Sequence, residues 1–222
     1  MRNQEVPTNS IRFPGGRIIP NANQSLENIY TTHQLGIQRL AGSHSTDFVR
    51  TIDKTTGQLS QLVFEAAENA TGSATDTELL RWQRFTKKVG KLRGGAIGDA
   101  ADVLDGQLQD LALSEQGFVE GALQAAIPIK LSINTPAIDP AAIVNKQAYN
   151  GQTFRQMMGN LSNADVGRIV SETRAGVNVG QTSDVIVRRI VGTRRNGYTD
   201  GVVNITRNNA KTVVRTLTNG VA

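Results

Sequence analysis

Apolar residues recur at three- and four-residue steps over most of the chain. Such spacing puts them on one face of an α-helix, where they can be buried together. The set Phe48, Ile52, Leu59, Leu62, Val63 and Ala66 predicts helix from Leu26 to Asn69. That helix is expected to break near Gly42-Ser43 and to weaken at Thr55-Thr56-Gly57. Thr71-Gly72-Ser73 reads as a turn, and Thr75-Asp76-Thr77-Glu78 as a capping box that starts the next helix by satisfying free backbone amides. Leu79, Trp82, Phe85, Val89 and Leu92 form its buried face, and Gly94-Gly95 loosens or ends it. A third helix, Ile97 to Ala126, carries a seam of Ile97, Ala101, Leu104, Leu108, Leu111, Phe118 and Leu123. Three helices with short connections predict an antiparallel bundle over residues 24–127.

The period then changes. Ile127, Ile129, Leu131 and Ile133 alternate with other residues between Pro128, Pro136 and Pro140, so a short strand is expected in a linker over 128–150. A lone strand leaves its backbone unsatisfied, so it should pair with the N-terminal arm or with a neighbouring subunit. That arm, residues 1–23, has two extended runs, Ile11-Arg12-Phe13 and Arg17-Ile18-Ile19, around Pro14-Gly15-Gly16; it reads as a hairpin or a strap.

Residues 151–222 return to helical period. A short helix is expected at Phe154–Met158, then one capped by Ser162 with Asp165 and carrying Val166, Ile169, Val170 and Thr173 as far as Gly176. Thr182 should cap a third, with Val185, Ile186, Ile190 and Val191 inward and Gly192 at its end. Thr206 should cap the last, with Ala210, Val213, Val214 and Leu217 inward. The fold class is therefore mainly α: an N-terminal arm, a long-helix bundle, a short strand linker and a small C-terminal helical unit.

Composition adds little until charge is placed along the chain. The net charge is +5. Residues 1–182 are balanced, whereas Ser183–Ala222 hold seven basic residues (Arg188, Arg189, Arg194, Arg195, Arg207, Lys211 and Arg215) against Asp184 and Asp200. Arg207, Lys211 and Arg215 lie four apart, which puts them on one helix face. Cations grouped this way can neutralise phosphates, contact an acidic face of a partner protein, or form a solvated surface. The absence of cysteine excludes disulfides and thiolate chemistry and suits a reducing cytoplasm. No run approaches the ~20 apolar residues of a membrane span.

The sequence offers no catalytic constellation. His33 and His44 stand eleven residues apart, without metal-ligand spacing. Gly90-Lys91 and Gly94-Gly95 lack the order of a phosphate-binding loop. Asp99, Asp102, Asp105 and Asp110 read as a solvated face, and Trp82 and Phe85 as core rather than a base-stacking platform. No catalytic residue, cofactor or metal is expected.

One stretch resembles a known family. Gly167-Arg168-Ile169-Val170, Gly176, Gly180-Gln181-Thr182, Ile186-Val187-Arg188-Arg189-Ile190 and Gly192-Thr193-Arg194 follow one another, then Tyr198-Thr199-Asp200-Gly201, Ile205-Thr206-Arg207-Asn208-Asn209-Ala210 and Val214-Arg215-Thr216. This order resembles the phage head-morphogenesis family of phage Mu F-like minor head proteins, over residues 151–222. Where the family often has an acidic residue after Arg-Thr, this chain has Leu217. The family usually continues further, so the chain is expected to be processed or to be a piece of a longer product, with Val214, Leu217 and Val221 left as an uncovered apolar face.

The resemblance implies a minor structural protein of a tailed-phage virion. It would be made in the bacterial cytoplasm and built into the head interior or portal vertex in multiple copies. It would contact the portal or major capsid protein, and packaged double-stranded DNA without sequence preference. Its roles would be head assembly, DNA packaging or ejection. The alternative class is a free nucleic-acid-binding or regulatory protein that reads DNA with an Arg-rich helix.

Overall fold

The computed structural model describes residues 11–12, 18–19, 22–71, 75–126 and 137–222. The strand expected at 129–133 and most of the N-terminal arm, as well as Gly72-Ser73 of the first turn, lie outside the described residues. Within the arm, β1 (Ile11–Arg12) pairs antiparallel with β2 (Ile18–Ile19), Ile11 opposite Ile19. The rest is helix: α1 (Ala22–Asp53), α2 (Thr56–Asn69), α3 (Asp76–Val89), a π-turn (Gly90–Gly94), α4 (Gly95–Ala126), α5 (Pro140–Lys146), α6 (Phe154–Asn178), α7 (Ser183–Val191) and α8 (Val203–Val221). The chain is mainly α.

Several expected boundaries move, each for a physical reason. α1 starts at Ala22, inside the expected arm, and runs unbroken through Gly42, because Ala41, Ser45 and Phe48 on either side are buried and tertiary packing outweighs one glycine's propensity. It ends at Lys54-Thr55 instead. α3 starts as expected, with the Thr75 hydroxyl accepting the Glu78 N–H at 3.3 Å. Gly94-Gly95 does not end the helical path; it widens into the π-turn and continues as α4. The separate helix expected at Phe154–Met158 and the cap expected at Ser162 merge into one helix, α6. Its true cap is Thr153, which accepts the Gln156 N–H while its own N–H donates to Gln156 Oε1 at 2.8 Å. Thr206 is not a cap either, since α8 begins three residues earlier.

α1 and α4 lie antiparallel along their length, with His33 beside Glu115 at one end and Ile52 and Ile97 sharing a core at the other. α8 runs antiparallel along the other side of α1, from Arg207 beside Asp53 to Asn219 beside Gln38. α7 packs on α2, and α6 passes between the two helix sets. This arrangement buries Val214 and Leu217 completely, and Val221 packs against the core, so the expected uncovered C-terminal face is covered.

Two apolar cores result. One joins Phe48, Ile52, Ile97, Leu104 and Leu108 to Val144, Tyr149, Leu161, Ala210, Val214 and Leu217. The other joins Leu59, Val63, Trp82, Phe85 and Val89 to Ile169, Ile186, Ile190, Val191 and Val203. Each draws on residues both before 128 and after 150.

Between the cores lies a polar layer. Arg93, wholly buried, donates from Nε to Asp165 Oδ2 at 2.7 Å, and from Nη1 to the Ile52 carbonyl at 3.1 Å and Thr55 Oγ1 at 3.0 Å. Asp165 Oδ1 accepts from the Thr206 hydroxyl, which in turn accepts from Arg168 Nη2 at 3.1 Å. The Ile52 carbonyl is one of the four that α1 cannot satisfy within itself, so Arg93 also caps that helix. Along each element the polar residue stands between the cores: Val89, Arg93, Ile97; Leu161, Asp165, Ile169; Ile52, Thr55, Leu59; Val203, Thr206, Ala210. The π-turn brings Arg93 inward, and Gly94 leaves room for Ser162 Oγ, which would stand 3.2 Å from a Cβ there. Gly201 is far more constrained: a Cβ would meet the Val191 carbonyl carbon at 2.4 Å.

Removing one member of a buried ion pair leaves an uncompensated charge in the interior. Asp165→Ala is therefore expected to destabilise the protein by about 3–5 kcal/mol. The double variant Arg93→Met with Asp165→Leu, which removes both charges, should lose markedly less. Urea unfolding of the two variants checks this; equal losses would mean that the ionic contact itself matters little.

Candidate polyanion-contact surface

The structure divides the seven basic residues of Ser183–Ala222 into two kinds. On α7, Arg188 is exposed, but its Nε donates back to the Asp184 carbonyl at 3.2 Å. Arg189 forms an ion pair with Glu172 of α6. On α8, Arg207 is half-buried: Nε pairs with Asp53 Oδ1 at 2.8 Å and Nη1 donates to the Tyr198 carbonyl at 2.8 Å. Lys211 and Arg215 on the same face are exposed and make no ion pair with a carboxylate among the described residues. The expected three-residue stripe is thus two free cations and one structural one. The four-residue spacing was correct, but the row turns toward α1 at its first member.

Arg194 and Arg195 occupy the loop between α7 and α8, in a short 3-10 turn (Arg194–Asn196). The loop is tightly specified. Gly192 and Gly197 have φ of 91° and 58°, and Tyr198, a non-glycine residue, has φ of 60°. The Asp200 carboxylate accepts from the Thr193 N–H and hydroxyl, both at 2.7 Å, and from Asn196 Nδ2 at 2.8 Å. These bonds, the Thr193 backbone N–H first, favour the ionised form and hold the Asp200 carboxyl down to about 2. Arg207 fixes the Tyr198 carbonyl, and Asn204 Nδ2 donates to the Thr199 carbonyl at 2.9 Å. The result is a braced loop that carries Arg194, Arg195 and Tyr198 in solvent.

A second basic region escaped the sequence reading. From Arg81 to Arg93 there are six basic residues and no acidic one. Arg81, Arg84, Lys88 and Lys91 follow one another at steps of three, four and three, which is one helix stripe, with Lys87 beside it. Arg81 pairs with Glu78 at 3.3 Å and donates to the Asn69 carbonyl at 2.8 Å. Arg84, Lys87, Lys88 and Lys91 are exposed and make no ion pair among the described residues. The signal was present, but summing charge over residues 1–182 cancelled it against carboxylates elsewhere.

The remaining candidates sit in the scaffold. The His33 ring stacks on Phe118 with centroids 3.6 Å apart and bonds both Glu115 oxygens at 2.8 and 2.9 Å. His44 lies 3.4 Å from the Thr218 hydroxyl, and burial lowers its pKa against the opposing pull of Asp47. Asp105 accepts from Gln109 and Asn145. Trp82 and Phe85 meet edge to face at 5.8 Å in the core, and the Arg174 guanidinium lies 5.1 Å over the Trp82 ring. Among the described residues no three His, Asp or Glu side chains are grouped to hold a metal ion, and no helix is long and apolar enough to cross a membrane. No protein-family model, no curated protein and no solved structure matches the chain.

Two predictions separate structural from free cations. Arg207→Glu should destabilise the protein by about 1–3 kcal/mol, because it breaks charge-assisted hydrogen bonds to Asp53 and Tyr198 and opposes Asp53 with a like charge. Lys211→Glu and Arg215→Glu should change stability by no more than ~0.5 kcal/mol; thermal melts of the three variants decide it. The loop also has a defined acid response. The Asp200 pKa is depressed on folding, so its stabilising bonds are fully present above the unfolded value of 3.8 and are lost as pH falls through about 2. In an acid titration followed by NMR, the Thr193 amide resonance should move with a midpoint near the folded-state value of about 2, and the movement should vanish in Asp200→Asn.

Proposed function

We propose that the protein is a non-enzymatic structural component of a tailed-phage particle. It would lie in the head interior or at the portal vertex, and act in head assembly, DNA packaging or ejection. It does so through contacts with the portal or major capsid protein and through sequence-independent contacts with packaged double-stranded DNA. The observation that carries the DNA part is the braced loop. Asp200 and Arg207 fix its backbone, yet the Arg194 and Arg195 side chains are exposed and make no ion pair among the described residues. A loop ordered before it meets its partner loses little entropy on binding, so two cations presented this way contribute more than the same charges on a slack tail.

The phage part rests on the resemblance over residues 151–222. Several residues that carry it have packing roles here. Gly176 allows Ile186 to stand where a Cβ would be 2.6 Å away, Gly201 meets the end of α7, and Thr206 and Arg207 tie α8 to the polar layer and to Asp53. Such residues support a shared architecture for that stretch. The alternative, an Arg-rich reading helix, has less support, since Arg189 is held by Glu172 and Arg188 folds back on α7.

The purified chain should bind random-sequence double-stranded DNA at low salt, with affinity falling steeply as salt rises. Each phosphate contact contributes a log–log slope near ~0.9. Reversing Arg194, Arg195, Lys211 and Arg215 to Glu should reduce that slope by about 2–4 and leave the fold intact. Fluorescence anisotropy measures both. Unchanged DNA binding would refute the DNA role of this surface, and absence of the protein from purified particles by mass spectrometry would refute the virion role.

A further inference from the structure

A separate cleft opens where the α1–α2 turn faces the π-turn and the start of α4. It is open to solvent, has a volume of about 720 Å³, and is lined by Lys54, Lys88 and Lys91, by Asp99, and by residues that include Leu92 and Gly95. The three lysines come from different elements: Lys54 from the turn after α1, Lys88 from the last turn of α3, and Lys91 from the π-turn. None of them makes an ion pair with a carboxylate among the described residues. We propose that this cleft is a binding site for a phosphate group, with the Lys54, Lys88 and Lys91 ammonium groups as its ligands.

Like charges that share one cleft repel one another. Asp99 offsets one of the three, which leaves two positive charges in the cleft. A phosphate monoester carries about −1.5 to −2 charges at neutral pH, with three acceptor oxygens for three ammonium donors. A single carboxylate would leave the cleft positive. Lysine also suits this partner, since its ammonium binds phosphate as a point charge without requiring planar, two-pronged geometry.

The π-turn is what makes the arrangement. Its wider path sends Arg93 into the interior while Lys91 remains at the surface beside the cleft, and such single-turn insertions recur at functional sites. Gly95 in the cleft lining has open space where a Cβ would stand, so a ligand can approach the backbone there. Arg84 and Lys87 extend the positive surface away from the cleft, which lets a phosphodiester chain continue along α3. Two neighbouring phosphodiesters of a nucleic acid backbone, each carrying one charge, or a compact free polyphosphate can thus supply the two negative charges. The site does not depend on the virion reading or on the Gly192–Gly201 loop.

The test uses the full chain and two probes, inorganic tripolyphosphate by titration calorimetry and labelled random-sequence DNA by anisotropy. Tripolyphosphate should bind the wild type. The variant Lys54→Gln, Lys88→Gln, Lys91→Gln should weaken it at least tenfold with an unchanged melting temperature, because all three positions are exposed. The variant reversed at Arg194, Arg195, Lys211 and Arg215 should bind it as the wild type does. If DNA also loses affinity in the triple-Gln variant, the backbone is the source; if only tripolyphosphate does, the source is a free phosphate. Failure of the wild type to bind tripolyphosphate, or equal binding by the triple-Gln variant, overturns the site. A wild type that binds tripolyphosphate but no DNA leaves the cleft standing and removes the DNA role proposed for the C-terminal surface.

Discussion

The architecture depends on one buried charge. Arg93 has no exposed surface, and its guanidinium finds its partners in four places: the end of α1, the turn after it, α6 and, through Asp165, α8. Removing a guanidinium from water costs several kcal/mol, and the bonds it makes offset that cost only when all of them form together. Any sliding of one helix against another would leave Arg93 or Asp165 unpaired between two apolar cores. The ion pair therefore need not raise overall stability to matter. Its effect is to make wrong registers expensive, which leucine and valine alone do not do well. Arg93 Nη2 and Arg168 Nε have no hydrogen-bond partner among the described residues.

The polar layer explains which features were legible in the sequence. Helical period identified the apolar faces, because Phe48, Ile52, Leu104, Ile169, Ile186 and Leu217 are all buried as their spacing required. Thr75 and Gly192 marked helix ends by local geometry alone. The failures have a common cause. Ser162 with Asp165 three residues on, and Thr206, are patterns that usually cap helices, and without knowledge of Arg93 a cap was the natural reading of both. Arg93 lies 72 residues from its partner Asp165, and Thr206 lies 41 residues from Asp165, and no local rule reaches that far. Val185 failed differently: it stands at an inward-looking position on α7 but is 37% exposed, because α7 is short and covers only a narrow face.

Charge was legible only after the fold separated structural from free cations. Among the described residues, no lysine joins an ion pair, whereas Arg93, Arg168, Arg189 and Arg207 each meet oxygen atoms on another element. A planar guanidinium can hold several acceptors in fixed directions, which suits a joint between helices. Lysines, by contrast, dominate the α3 row and stay in solvent. Counting both types as equal made the C-terminal stretch look uniformly available and hid the α3 row. Of the seven C-terminal residues, the fold ties Arg189 and Arg207 to carboxylates, turns Arg188 back onto α7, and leaves Arg194, Arg195, Lys211 and Arg215 exposed without an ion pair among the described residues.

The place of α8 has a consequence for synthesis. This helix is made long after α1, yet it covers one whole side of it: Gln38 meets Asn219 across 181 residues of chain. A bacterial ribosome adding about 5–20 residues per second needs on the order of 10 s or more to cover that distance. During that interval the α1 face around Ala41, His44 and Ser45 has no partner, and Arg93 has no Thr206 to complete its layer. Contacts so distant in sequence also close slowly after release. The nascent chain therefore passes through a stage in which its earliest helix is half-clad, and a chaperone or a neighbouring copy has its best opportunity to engage the protein at that stage.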